Sequence, residues 1–272
     1  MRRMFLVLTV LFALTLSACS TSSYEVVEGN TLVVGLEAAY APYNWTTQTQ
    51  NEFTVPLSGQ PGAYVDGYDV VVAQYIADEL GLVLEVKAIE WDGLIPALQA
   101  GQIDVIIAGM SPTSERAKTV NFSTEYYRAQ QVMVVRTDSS FANVTTLAGF
   151  SGARVVAQLG TLQDDLIDQI PSVIHQTPLD SYNALTNSVL SGVADAFIAE
   201  LPVAMSIVQS NSNLTFINFT GTNGFTVSEE DITTAVALRK RDTALLEAIN
   251  GVLAEISVET RDAWMLAALN RQ

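Results

Sequence analysis

The segment Leu98-Gln-Ala-Gly101-Gln-Ile-Asp104-Val-Ile-Ile-Ala108 is echoed later in the chain by Leu190-Ser-Gly192-Val-Ala-Asp195-Ala-Phe-Ile-Ala199. Each copy reads as the end of a helix, a glycine suited to a left-handed helix cap, an aspartate three residues on, and an apolar strand that closes in alanine. The glycines and aspartates have a structural reading, the aspartates bonding backbone groups at the turn. A chain with two such units is expected to form two similar α/β lobes. In open α/β sheets, ligands sit beyond the carboxyl ends of the strands. The residues after Ala108 and Ala199 are therefore the ones to examine for function.

Elsewhere strand and helix patterns alternate. Residues 31–36 form a short apolar strand. Apolar residues at helical spacing predict a helix over 69–80, closed by Gly81, and residues 82–89 read as a strand. Residues 94–100 read as a short helix and 103–108 as a buried strand. Residues 44–67, rich in Gln, Asn, Gly and Pro, read as a long surface loop with room for a hairpin.

The N-terminus carries a different signal. Met1-Arg2-Arg3 precedes an apolar run over residues 5–16, of secretory length but too short to span a membrane. The run ends in Leu16-Ser17-Ala18-Cys19, and Cys19 is the single cysteine. This resembles the lipobox of bacterial lipoproteins, in which the cysteine takes lipid and becomes the mature N-terminus. Residues 1–18 are expected to be a signal peptide and 19–30 a polar tether. The domain is then extracytoplasmic and lipid-anchored, and several acyl chains hold far better than one. Internal disulfides are excluded. The 13 Lys and Arg against 29 Asp and Glu give a net charge of -16, and loss of Arg2 and Arg3 takes it to -18. Such a balance repels nucleic acid and anionic headgroups.

The residues after the two echoed strands carry opposite charges. Gly109-Met-Ser111-Pro-Thr-Ser-Glu-Arg116 offers small residues, a hydroxyl and a guanidinium suited to a carboxylate. Glu200-Leu-Pro202 offers a carboxylate suited to an ammonium. Taken singly, Arg116 is explained as a surface ion-pair residue and Glu200 as an acid at a helix N-terminus. Facing one cleft, the two suit a zwitterion.

From Thr31 nearly to its end, the chain resembles the polar amino-acid family of solute-binding proteins that serve ABC importers. The resemblance rests on Val34-Gly-Leu-Glu-Ala-Ala-Tyr-Ala-Pro42, Gly67-Tyr-Asp69, Trp91-Asp-Gly-Leu-Ile-Pro96, the run Asp104 to Arg116, Phe122-Ser-Thr-Glu-Tyr-Tyr127, Gly160-Thr161 and Asp195-Ala-Phe-Ile-Ala-Glu200. It implies a type II periplasmic-binding-protein fold of two α/β lobes joined by two hinge crossover strands. Lobe 1 would take residues 30–131 plus 227–272 and lobe 2 residues 132–226, with crossings near 131–135 and 225–232. It also implies that Arg116 holds a ligand α-carboxylate, helped by Ser111 and by N–H groups near Thr161 and Leu162. Glu200 falls where the family usually has aspartate for the α-ammonium, shared with the Gly109 carbonyl and the Ser111 hydroxyl. Tyr40 and Trp91 fall where aromatics enclose the ligand side chain, and Glu37 where an acid reaches its polar end. Core or turn packing is the alternative for Tyr40 and Trp91.

These readings point to a monomeric receptor that presents a free amino acid to an ABC permease, with no cofactor and no metal. A basic ligand suits Glu37 beside two aromatics, arginine before lysine. Glutamine and cystine remain open as ligands, as does an enzyme on the same fold resembling cyclic-acid dehydratases. The single histidine, His175, lies among polar residues and reads as surface. A sensory receptor would need transmembrane and signalling segments that the sequence up to Gln272 does not supply. Changing Cys19→Ser is expected to release the protein or to leave unprocessed precursor. Mass spectrometry of an unmodified mature chain that begins elsewhere would contradict the lipid anchor.

Overall fold

The computed structural model describes residues 23–272, so the signal run, Cys19 and the first tether residues lie outside the described residues. In chain order the first part comprises β1 (Thr31–Leu36), β2 (Ala39–Tyr40), β3 (Asn44–Thr47), β4 (Val55–Pro56), β5 (Tyr64–Asp66), α1 (Tyr68–Glu79), β6 (Val83–Ala88), α2 (Leu94–Gln99), β7 (Val105–Ile106) and β8 (Val120–Arg128). Next come β9 (Gln131–Arg136), β10 (Arg154–Val156), α3 (Leu162–Ile167), β11 (Ile174–His175), α4 (Tyr182–Leu190), β12 (Ala196–Glu200), α5 (Leu201–Ser210) and β13 (Leu214–Ile217). The chain closes with β14 (Thr233–Arg239), α6 (Thr243–Ala254) and α7 (Val258–Asn270).

These strands build two five-stranded sheets of like design. One has the order β6-β1-β7-β14-β8 and the other β11-β10-β12-β9-β13. In each, three parallel strands are followed by two that pair antiparallel. The chain passes from the first sheet to the second between Arg128 and Gln131 and returns between Ile217 and Thr233.

The echoed segments occupy equivalent places. Gly101 and Gly192 adopt φ of 74° and 77°, so each helix ends in a left-handed turn that L side chains resist. Asp104 donates its N–H to the Val33 carbonyl at 2.8 Å and accepts from the Val33 N–H at 3.1 Å. Asp195 does the same with Arg154, at 2.8 Å in both directions. Each aspartate also takes an arginine: Arg239 reaches Asp104 at 3.1 Å and Arg154 reaches Asp195 at 2.7 Å. The aspartate clamps its own strand to the neighbouring parallel strand, and both strands then run out toward the other lobe.

Burial follows from the apolar runs. Along β7 and β14, Val105, Ile107, Val236 and Leu238 pack in one cluster, while Ile106 and Ala237 pack in another on the opposite face. In the second sheet, Phe197 and Ala199 alternate with Ala196 and Ile198 in the same way. Sheets covered on both faces give continuous apolar strands rather than strict alternation.

Two regions differ from the expectation. Residues 44–67 hold more than the hairpin for which the loop left room: β3, β4 and β5 join β2 in a four-stranded antiparallel sheet of order β2-β3-β5-β4. Leu57 bridges to Val86 and Ser58 donates to the Val86 carbonyl at 2.9 Å, so this sheet shields the edge of β6. Its polar composition hid strands of only two to four residues. Residues 24–30 hold fixed contacts rather than hanging as a tether. Tyr24 donates its N–H to Asp242 at 2.9 Å and Gly29 donates to the Gly81 carbonyl at 2.8 Å. No helix among the described residues is long and apolar enough to cross a membrane.

Candidate functional site

One cavity lies between the two sheets, at the carboxyl ends of β1, β7, β10 and β12. All nine expected residues line it: Glu37, Tyr40, Trp91, Gly109, Ser111, Arg116, Thr161, Leu162 and Glu200. Three further residues complete the wall, Gln158, Gln163 and Tyr182. The side chains meet so closely that about 10 Å³ stays free, the room a single water needs. Any larger guest requires the lining side chains to move apart.

Arg116 sits on a short turn after β7. Its Nη1 donates to the Ser111 carbonyl at 2.8 Å and its Nη2 crosses the cleft to the Gly160 carbonyl at 3.2 Å. The guanidinium lies 5.1 Å from the centroid of the half-buried Trp91 ring, a cation–π contact. Burial lowers the pKa of Arg116 to about 10, which leaves it fully charged at neutral pH. Trp91 also donates to the Gly160 carbonyl, at 3.3 Å. Across the cleft, the Thr161 hydroxyl donates to the Gln158 carbonyl at 2.7 Å and accepts from the Asp164 N–H at 3.3 Å. Thr161 thus caps α3 and fixes the turn that Leu162 opens.

Glu200 is the last residue of β12 and is buried. Gln163 donates to its Oε1 at 2.8 Å and the Tyr40 hydroxyl, from the opposite lobe, donates to its Oε2. Burial raises its pKa, against the hydrogen bonds from Tyr40 and Gln163 and the charge of Arg116. The Tyr40 ring is held between Tyr43, stacked at 5.3 Å, and Tyr182 at 4.8 Å. Gly109 has φ of 62°, and a Cβ there would lie 2.9 Å from Tyr40 Cε1. Glycine is needed at that position for both reasons.

Glu37 follows β1 and is 9% exposed. Gln158, from the second lobe, donates through Nε2 to both carboxylate oxygens, at 3.0 and 3.2 Å, and to the Asp180 carbonyl at 2.9 Å. Burial raises the pKa of Glu37 to about 7; the Gln158 bond opposes the rise and Glu90 adds to it. His175 stands apart from the cavity, its ring nitrogens each 2.9 Å from Asp164 and Asp168. Among the described residues no group of three or more His, Cys, Asp and Glu is placed to hold a metal ion.

Sequence reasoning missed the two glutamines and Tyr182. Gln158 and Gln163 flank the quoted Gly160-Thr161 pair, a position that hinted at them. Tyr182 lies on a helix and gave no signal of its own.

The family model for bacterial extracellular solute-binding proteins, family 3, matches residues 32–264. The chain belongs to this family. The arginine-binding extracellular protein ArtP of Bacillus subtilis (strain 168) is 30% identical over 253 residues, covering 91% of this chain and 88% of that protein. The L-cystine-binding protein TcyJ of Escherichia coli (strain K12) is 27% identical, covering 85% and 79%. Among solved structures, an amino acid ABC transporter substrate-binding protein from Streptococcus pneumoniae bound to L-arginine superposes with a TM-score of 0.76 at 28% identity, covering 89% of this chain and 94% of that one. Holo ArgBP from T. maritima gives 0.69 at 34% identity, covering 85% and 93%. This family 3 solute-binding protein has the two-lobed type II fold.

The buried acid of this solute-binding protein gives its stability a pH signature. The folded-state value of Glu37 lies above the ordinary 4.5, so ionisation costs the folded state. Its contribution is fully present below about pH 4.5 and is lost as pH rises through about 7. Glu37→Gln removes that loss. The stability of the variant relative to wild type is expected to rise by roughly 1–3 kcal/mol between about pH 4.5 and about pH 8. Denaturant midpoints at the two pH values read the difference, and a difference independent of pH would contradict it.

Proposed function

We propose that this protein captures L-arginine, and L-lysine less tightly, between its lobes and delivers it to an ABC permease of the cytoplasmic membrane. It would do so as a monomer anchored by lipid on Cys19. The lobes proposed to close on the ligand are residues 30–131 plus 227–272 and residues 132–226. The observation that carries the reading is the charge gathered in one cavity: the guanidinium of Arg116 and the two buried carboxylates Glu200 and Glu37, with Tyr40 and Trp91 among the lining residues.

In this reading Arg116 holds the α-carboxylate, with Ser111 and the N–H groups of Thr161 and Leu162. Its fork already reaches two carbonyls, one of them across the cleft, and a carboxylate would replace the second with a charged partner. Glu200 and the Gly109 carbonyl hold the α-ammonium. Glu37 accepts from the distal guanidinium, and a cation there would favour the ionised acid that burial disfavours. Arginine leads because a planar guanidinium stacks and hydrogen-bonds at once. The relatives named as arginine-binding support this choice.

Glutamine is the second reading. A carboxamide, that of Gln158, already satisfies both oxygens of Glu37, and a ligand amide has the same donors. A relative in Bacillus subtilis is named as a glutamine-binding protein. We infer a binder without chemistry of its own, in keeping with the match to a family of solute-binding proteins.

Isothermal titration calorimetry tests the assignment. Arg116→Ala and Glu200→Ala are each expected to cost roughly 2–5 kcal/mol, part of it from the ligand charge left unpaired. Arg116→Lys is expected not to restore affinity, because an ammonium lacks the paired fork. Glu37→Gln is expected to weaken arginine more than glutamine. Near-wild-type arginine affinity in Arg116→Ala or Glu200→Ala would remove that residue from the site. Tight glutamine binding by the wild type, with none of arginine, would overturn the choice of ligand.

A further inference from the structure

Two quoted motifs, Gly67-Tyr-Asp69 and Phe122 to Tyr127, have no part in the cavity wall, yet they meet behind it. Asp69, at the start of α1, is fully buried. Its Oδ1 accepts from the Tyr126 hydroxyl at 2.8 Å, and that hydroxyl accepts from the Gly109 N–H at 2.9 Å. Its Oδ2 accepts from Asn44 Nδ2 at 2.8 Å, and Asn44 Oδ1 in turn accepts from the Ala38 N–H at 2.7 Å. One carboxylate therefore anchors two of the lobe 1 segments that carry site residues: the turn after Glu37 and the turn at Gly109.

Both anchored residues have left-handed backbones, Ala38 with φ of 58° and Gly109 with φ of 62°. For alanine that conformation is costly and persists only where the surroundings over-determine it. Tyr68 braces the same cluster by donating to the Tyr126 carbonyl at 2.6 Å. Asp69 has hydrogen bonds but no ion pair among the described residues. Burial raises its pKa to about 6, the bonds from Asn44 and Tyr126 oppose the rise, and the charge of Glu200 adds to it. The charge of Glu200 thus reaches Asp69 from the cavity that Gly109 and Tyr40 line. A cation placed beside Gly109 relieves that repulsion; a neutral group does not.

We propose that Asp69 is a positioning residue for the ligand α-ammonium, acting through Tyr126 and the Gly109 peptide and setting a second buried negative charge behind the site that Glu200 completes. This rests on the reading that Gly109 and Glu200 face the α-ammonium of a bound amino acid. The hydroxyl of Tyr126 fixes the Gly109 peptide so that its neighbouring carbonyl keeps its direction, and Asp69 fixes that hydroxyl. Asn44 ties the same carboxylate to the Ala38 turn, so the turn after Glu37 and the turn at Gly109 are set against one common point.

The test compares two probes by calorimetry: L-arginine and its deaminated analogue, which keeps the carboxylate and the guanidinium. Asp69→Asn keeps size and shape and is expected to weaken L-arginine by about tenfold or more, and the analogue by less than about threefold. Tyr126→Phe keeps the ring and is expected to show the same selective loss, smaller in size; it decides the matter if Asp69→Asn fails a near-ultraviolet circular dichroism check of folding. Equal loss for both probes would mean a general structural role and would overturn the proposal, as would unchanged arginine binding. If the wild type gives no heat with L-arginine, the arginine reading fails by itself. The positioning role is then read in the same way from L-glutamine and its deaminated analogue.

Discussion

Two buried carboxylates with no ion-pair partner among the described residues, Glu37 and Glu200, set the terms on which the two lobes meet. Each lies at the carboxyl end of a strand and is reached by a donor from the other lobe: Gln158 to Glu37, and Tyr40 to Glu200. Neutral donors satisfy the oxygens but leave the charge in a low-dielectric setting, which is why burial raises both pKa values. Cations in the same places would satisfy both charge and geometry. The cleft is thus closed by its own side chains in a way that a charged ligand would improve upon.

The strands that present these acids are held in place by a repeated device. Asp104 and Asp195 each bond both backbone groups of a residue on the neighbouring strand and each take an arginine. The same device in both lobes sends Gly109 and Glu200 toward each other from opposite sides. Glu37 directly follows β1, Glu200 ends β12, and Arg116 stands on a short turn further on from β7.

Much of this was legible in the sequence, for physical reasons particular to each element. The helix-cap glycines and the aspartates after them marked the two lobes because left-handed turns and buried backbone acceptors restrict residue choice. The strand over 31–36 and the helix over 69–80 were visible because a continuous apolar run and helical spacing leave little choice of element; the structure has them at Thr31–Leu36 and Tyr68–Glu79. Within 44–67 only room for a hairpin was visible, since strands of two to four residues, such as β4 (Val55–Pro56) and β5 (Tyr64–Asp66), are too short to leave a periodic trace. Gln158, Gln163 and Tyr182 escaped for another reason: a glutamine or a tyrosine gives no local signal of whether it faces solvent or a cleft. Asn44 and Asp69 were hidden by their role, because the bonds that use them join residues far apart in the chain.

The most direct measurement is a crystal structure of the protein grown with L-arginine. The predicted result is the amino acid enclosed between the lobes, its carboxylate forked on Arg116 in place of the Gly160 carbonyl. The α-ammonium would lie between Glu200 and the Gly109 carbonyl, displacing the Tyr40 hydroxyl, and the guanidinium would lie on Glu37 between Tyr40 and Trp91. Arginine found elsewhere on the surface, with the Tyr40–Glu200 and Gln158–Glu37 bonds intact across a closed cleft, would contradict it.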